Sequence, residues 1–373
     1  MNIGICSAAR KMAFVCGLVL SASFSFPQVA PKRPVASEYS WRILENARIA
    51  YDAADYGEAM NLANRAKANR RAEIAWEVYT LENALSPLAV RKVGDSFGDV
   101  LKILAERDEN EAVKLINKYL RFYGTGFFGD SISNLVEWVK EKNVYPEADF
   151  LIGKIYQLEG EYKTAYEFYE KARVEREYLD IPDFHYEILY AMVALALEAK
   201  RPDDYEQALL LILDSDPKFK DSVFRNAFMK ILDSDKAENA DRFFTLFRAE
   251  ENRSLEALFD LGNVYERAGR DENALVCAAL GTIESFTHIY ATICERDTSY
   301  SFTTYADFLE KCGKYDDIMT WCEKYHVWEL MFQMGERLQK RGRLILADSF
   351  FRKMAAAMPD PYWRSEAASK LAK

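Results

Sequence analysis

Glycine and proline are scarce in this chain of 373 residues, at 16 and 10. An all-β domain needs many more turn residues, so the shortage argues against one and favours helices. Histidine is rarer still: His185, His288 and His326 are the only three. No CxxC pair is present, which removes support for a structural zinc site. HExxH and the Walker A loop are also missing, and with them the commonest signatures of zinc proteases and nucleotide hydrolases. Positive charge is in deficit, with a formal net charge of −10. That disfavours binding along a phosphate backbone but leaves room for a basic peptide. What is abundant is apolar and aromatic. Half of the chain is hydrophobic, with 22 Tyr and 23 Phe, and 29% is charged. This is the balance of a well-cored soluble protein, long enough for two average domains or one elongated array.

The first residues read "MNIGICSAARKMAFVCGLVLSASFSFPQVAPKRP". Arg10 and Lys11 precede an uncharged stretch from Met12 to Phe26. Small residues follow at Ser21, Ala22, Ser23 and Ser25, and Pro27, Pro31 and Pro34 block any helix beyond them. The layout predicts a secretory signal peptide over residues 1–30, cut after Ser25 or Ala30, and a linker over 31–37. The apolar stretch is shorter than the roughly 20 residues that span a bilayer. Membrane association is therefore expected only if the segment is retained. Cys16 lies near the start of the apolar stretch rather than its end, which argues against lipidation there. The expected location is exported, periplasmic or envelope-associated. Cys277, Cys294, Cys312 and Cys322 form an even set that two disulfides would satisfy; four small buried hydrophobes are the favoured alternative.

From Ser37 onward, runs with a 3.6-residue apolar period follow one another, with prolines such as Pro87, Pro146, Pro202, Pro217 and Pro359 expected between them. Residues 151–172, "LIGKIYQLEGEYKTAYEFYEKA", combine small Gly153 and Ala165 with Tyr156, Tyr169 and Ala172, and place Gly160 between two helices. Small residues let antiparallel helices approach, a glycine permits the left-handed turn at a helix end, and aromatics fill the space between hairpins. The constellation recurs as Gly262, Tyr265, Gly269 and Ala274, and as Gly335, Gly342, Ala347 and Phe351. A glycine-poor version has Ala47, Tyr56, Ala59, Ala63 and Ala66, and another has Ala306, Gly313 and Tyr315. Weaker versions end in "RPDDYEQALLLILDSDP" and "DKAENADRFFTLF".

This pattern resembles the tetratricopeptide repeat (TPR), a helix pair of about 34 residues. The resemblance implies an all-α fold, an α-solenoid of antiparallel helix pairs over residues 38–373. About eight to ten pairs are expected from that period. Residues 73–145 and 173–255 depart from the pattern, and residues 360–373 read as a polar closing helix. The resemblance also implies a concave surface lined by the first helix of each pair. In the clear repeats that surface would include Trp41, Leu44, Arg48, Tyr51, Phe150, Lys154 and Gln157. It would continue through Phe259, Asn263, Arg267, Phe332, Glu336 and Lys340. Only Asn263 and Arg267 are similar to the basic clamp with which some members hold acidic chaperone tails, so that ligand is not carried over.

Two motifs suggest chemistry. "GTGFFG", Gly124 to Gly129, fits a dinucleotide-binding expression, but a charged amphipathic helix precedes it where a strand is required. It reads better as a helix stop followed by a start at Asp130–Ser131, whose side chains would cap the next helix. Cys322 and His326 lie four apart and would share one helical face, without a second pair to complete a metal or nucleophile site. The carboxylates of "AERDENEA" and "ILDSDKAEN" fit helix caps and solvated faces. The expectation is a protein without catalytic, cofactor or metal residues, binding a peptide or partner protein and no nucleic acid. The alternative is an accessory ligand-binding subunit of an envelope transport or assembly system.

Overall fold

A computed structural model describes residues 30–121, 124–246 and 253–371, so the expected signal peptide lies outside the described residues apart from Ala30. The described residues are helical and hold no strand; one isolated bridge joins Ser96 and Ser131. The helices are α1 (Ser40–Asp52), α2 (Tyr56–Lys92), α3 (Phe97–Arg107), α4 (Glu109–Tyr119), α5 (Ile132–Glu141), α6 (Pro146–Leu158) and α7 (Tyr162–Val174). They continue with α8 (Phe184–Glu198), α9 (Pro202–Asp214), α10 (Pro217–Lys220), α11 (Ser222–Asp233), α12 (Asn239–Phe244) and α13 (Leu255–Arg267). The last are α14 (Asp271–Arg296), α15 (Tyr305–Cys312), α16 (Asp316–Lys324), α17 (Val327–Lys340), α18 (Leu344–Ala357) and α19 (Pro361–Leu371). Proline opens α6, α9, α10 and α19, where its missing N–H has no intrahelical partner to lose. Pro87 departs from the expectation: α2 runs through it. Pro87 and Asn83, whose carbonyl loses its donor, are both exposed, so water can take that bond.

The described residues divide into two compact units, residues 30–34 with 72–140, and residues 35–71 with 141–371. In the first unit, α3 and α4 pack together and the core is built on Leu85, Phe97, Val100, Leu135 and Val139. "GTGFFG" is a turn here, with Gly124 and Gly129 both at φ +58. It ends in a crossed pair of helix caps. Ser131 accepts from the Asn134 N–H and caps α5, as expected. Asp130 instead accepts from the Gly98 N–H at 2.7 Å and caps α3, while Asp95 accepts from the Ser133 N–H at 2.9 Å. The backbones pair alongside, Phe97 N–H to Asp130 O and Ile132 N–H to Asp95 O.

The second unit is a series of hairpins. α6 packs on α7, α8 on α9, α13 on α14 and α17 on α18, and each pair meets the next through α7–α8, α9–α13 and α14–α17. Close crossings depend on missing side chains. A Cβ on Gly153 would lie 2.7 Å from the Tyr169 ring and 3.3 Å from the Ala165 carbonyl oxygen. A Cβ on Gly335 would lie 2.7 Å from Phe351. Gly262 differs from the expectation: its nearest neighbour is Arg337 Nη1 at 2.9 Å, so the missing side chain makes room for a guanidinium as well as for the partner helix. Arg337 is 3% exposed and donates to the Ala274 carbonyl, Glu266 and Gln333, tying α17 to α13 and α14.

The hairpin turns share one form. Gly160, at φ +79, is followed by Glu161, whose N–H reaches back to the Tyr156 carbonyl at 2.9 Å. The same backward bond joins Arg270 to Tyr265 after Gly269, and Arg343 to Leu338 after Gly342. It also joins Arg201 to Ala196 after Lys200, and Asp55 to Ala50 after Ala54, with φ +55 and +59 at those two non-glycine residues. This bond satisfies a carbonyl that the helix end leaves without a donor.

α14 is the one described helix long and apolar enough to cross a membrane. However, its apolar stretch is mostly buried inside the protein, and α11, α13 and α17 pack on the helix. Cys277, Cys294, Cys312 and Cys322 are free thiols. Cys277, Cys312 and Cys322 are buried, and burial pushes the Cys277 thiol up to about 12.

Candidate functional site

The residues expected on a concave surface have different fates. On α1, Trp41 is 54% exposed, while Leu44 is 3% exposed and belongs to the core with Ile43 and Ala47. Arg48 lies 5.6 Å above the Phe184 ring, and Lys154 Nζ lies 4.5 Å above Tyr51. Phe150, 7% exposed, packs between Tyr169 and Phe184 at 5.4 and 5.1 Å. Gln157 accepts from the Tyr169 hydroxyl at 2.7 Å and donates to Glu198 at 2.9 Å. These side chains meet where α1, α6 and α8 converge, and most of their capacity is spent joining helices. Phe332, 5% exposed, lies against Phe351 and Trp363. Glu336 accepts from Lys370, and Lys340 donates to Asp271 at 2.6 Å. α19 therefore covers the part of α17 that was expected to be open, and Leu44, Phe150 and Phe332 are core residues rather than ligand anchors.

The α13 residues fare differently. Phe259 and His326 stack at 4.9 Å, nearly parallel. Arg267 lines an open cleft of about 590 Å³ with Leu197, Tyr205 and Asp260. Asn263 accepts from Arg337 at 3.4 Å and supports the helix crossing. His326 corrects a second expectation. It lies beyond the end of α16, in the left-handed conformation at φ 54, as the residue before α17. Cys322 is buried within α16, so the two do not share a helical face.

A second pocket, absent from the sequence-based expectations, opens at one end of α13. It is about 420 Å³ and is walled by Tyr190 of α8, Glu256 of α13, Glu284 and His288 of α14, and Trp321 of α16, with Tyr325 just beyond. His288 stacks on Trp321 at 4.2 Å, and Trp321 meets Tyr325 at 5.1 Å. Glu284 is 4% exposed and accepts from Ser254 Oγ at 2.9 Å. The Tyr190 hydroxyl donates to the Arg253 carbonyl at 2.6 Å. Its pKa is pushed upward, first by burial and then by the charges of Glu256, Glu284 and Asp260. Burial likewise pushes the Asp260 carboxyl up, while the Tyr205 hydroxyl lowers it.

The pocket is one end of a groove. A narrower cleft shares its Glu256 and Tyr325 and adds Phe259, Asp260 and Lys324. Asp260 in turn belongs to the cleft that holds Arg267. The groove thus follows α13, with aromatic rings and carboxylates at one end and Lys200, Arg201 and Arg267 at the other. A sequence signal for the pocket existed: Glu284 and His288 stand four apart inside the otherwise apolar α14, and Trp321 and Tyr325 are also four apart.

No protein-family model matches the chain. A protein of Treponema pallidum (strain Nichols), described only as uncharacterized, is 27% identical over 365 residues, covering 96% of this chain and 97% of its own length. Another protein described as uncharacterized, from Borreliella burgdorferi, is 21% identical over 229 residues, or 55% of this chain and 69% of its own. The first likeness runs essentially end to end, and neither description assigns an activity.

Proposed function

We propose that this chain is an exported helical-hairpin scaffold of the tetratricopeptide kind that binds a partner protein along α13 without covalent chemistry. One observation carries the reading: clefts that share lining residues follow α13, bordered by part-exposed Phe259, Trp321 and Tyr325 among charged groups. Aromatic anchors surrounded by polar residues are the usual composition of a protein-binding surface. The repeated close crossings at Gly153 and Gly335, and the repeated hairpin turn, support the solenoid assignment. The basic and apolar layout of residues 10–26 supports export.

The test is capture from an envelope extract of the source organism on the immobilised chain, followed by direct binding of the purified partner. The reading expects a defined protein that binds the wild-type chain and loses affinity to Phe259→Ala. Capture of nothing reproducible would remove the reading. A second reading, a small-molecule carrier, draws on the cleft volumes of about 420 and 590 Å³, which fall in the range of ligand pockets. It requires a bound molecule in native mass spectrometry of the purified chain, and a consistently empty protein would exclude it.

A further inference from the structure

The basic end of the groove has a side pocket. Helices α7, α8 and α9 enclose a cleft of about 250 Å³ that meets the Arg267 cleft at Ala196 and Arg201, which line both. We infer that it seats one large uncharged apolar side chain, of the leucine or phenylalanine kind, from the partner protein. The inference rests on the scaffold reading above and specifies the kind of residue by which the partner is recognised. Shape, charge and position each support it.

The shape suits a side chain. Tyr162 and Tyr166 stand one turn apart on α7 and form one wall, while Met192, Leu195 and Ala208 close the back. Those last three are buried, whereas Tyr166 is 42% exposed, so an apolar floor lies behind a ring that solvent still reaches. The volume falls below the roughly 300–1,000 Å³ of drug-sized ligand sites, which fits a single side chain better than a whole molecule. Methionine at the back adapts to the shape that enters.

The charges at the rim are already matched. Arg173 donates to both carboxylate oxygens of Glu170, at 2.7 and 2.6 Å, and Arg201 donates to Asp204 at 3.3 Å. These four are the charged residues that line the cleft. A charged group entering it would lose water without gaining a free counter-charge, which is costly. An apolar side chain gains by leaving water, and a polar rim that excludes solvent is the usual surround of an interface anchor.

The position is beside the surface proposed for the partner. Leu197, 65% exposed, and Pro202 line the adjoining cleft, so apolar surface continues from the pocket toward α13. A segment lying along α13 can therefore place a side chain in the pocket without leaving the groove.

The experiment offers the full chain the N-acetylated amides of phenylalanine, glycine, lysine and aspartate, and follows binding by saturation-transfer NMR. Tyr166→Ala removes the wall, Tyr166→Phe keeps the ring, and Ala199→Leu fills the cleft from its edge. Tyr362→Ala removes an exposed ring elsewhere. Thermal unfolding checks that each variant is folded; Ala199→Leu decides if Tyr166→Ala is destabilised. The phenylalanine amide should bind saturably and the other amides should not. Tyr166→Ala and Ala199→Leu should weaken that binding about tenfold, while Tyr166→Phe and Tyr362→Ala should match the wild type. A charged or glycine amide that binds as well as the phenylalanine amide would overturn the assignment. So would a phenylalanine amide that does not bind, or that ignores both pocket variants. A small molecule retained by the purified chain and lost in Ala199→Leu would give the cleft to a free ligand instead. Self-association lost in that variant would give it to a second copy of the chain. The two proposals fail separately. A captured partner that binds Tyr166→Ala and Ala199→Leu as tightly as the wild type sinks the pocket and leaves the scaffold. A phenylalanine amide that binds as expected, with no partner captured, does the reverse.

Discussion

Gly153 shows how much can hang on a missing side chain. The space a Cβ would need is filled by the Tyr169 ring, which is fully buried and tied by its hydroxyl to Gln157. Gly153→Leu must push that ring and helix α7 outward, and the expected cost is about 1–3 kcal/mol, as for other overpacked cores. A denaturant midpoint equal to the wild type would refute this crossing. His185 makes a second residue-scale prediction, about pH. Burial, with Arg176 and Arg173 nearby, lowers its pKa from the ordinary 6.5 to about 4. Between those values the unfolded chain takes up a proton that the folded chain refuses. The neutral His185 therefore adds stability at higher pH, and that contribution is lost as pH falls from about 6.5 toward 4. The melting temperature of the wild type should drop across this window, and His185→Gln should flatten the drop. Comparing the two chains isolates His185 from Glu147 and Asp260, whose raised carboxyl pKa values act with the opposite sign. Unchanged slopes would remove His185 from the account. These two residues differ in legibility. The role of Gly153 followed from its place in a recurring pattern, whereas the surroundings of His185 come from Arg176 and Ser215, which only the fold brings near it.

At the scale of the element, the hairpin turn is the repeated device. Gly160, Gly269 and Gly342 were readable because glycine is the residue that enters the left-handed region at little cost. Lys200 and Ala54 carry out the same turn and were hidden, since nothing in their chemistry announces a positive φ. This has a measurable consequence. Lys200→Gly should relieve a left-handed strain of roughly 1 kcal/mol and stabilise the chain, and Gly160→Ala should destabilise it by a similar amount. A Cβ on Gly160 meets nothing within 4 Å, so the second change tests the backbone alone. Opposite signs in equilibrium unfolding would support a common turn; a destabilising Lys200→Gly would contradict it. Facing was harder to read than turning. A four-residue spacing puts Phe150, Lys154 and Leu158 on one side of α6, but it does not say which neighbour covers that side. α1, α7 and α8 all pack on α6, and Phe150 was claimed by Tyr169 and Phe184. The same uncertainty hid Phe332 beneath Trp363 of the closing helix.

For the whole molecule, the all-helical character and the hairpin order of the second unit follow from composition, periodicity and the spacing of small residues. The binding groove does not. Its wide pocket draws on α8, α13, α14 and α16, and Tyr190 and Trp321 come from distant parts of the chain. No short motif can hold such a set. What the sequence offered was an anomaly, the polar pair Glu284 and His288 inside an apolar helix, which the packing of α14 turns into the back of a pocket. The account's central claim is that a partner protein is held along α13. It is tested most directly by the affinity of the captured and purified partner for the full chain and for Phe259→Ala/Trp321→Leu, at matched folded fraction. The account predicts at least about a tenfold loss in the double variant, as expected when anchors at the centre of an interface are truncated. Equal affinities would contradict it.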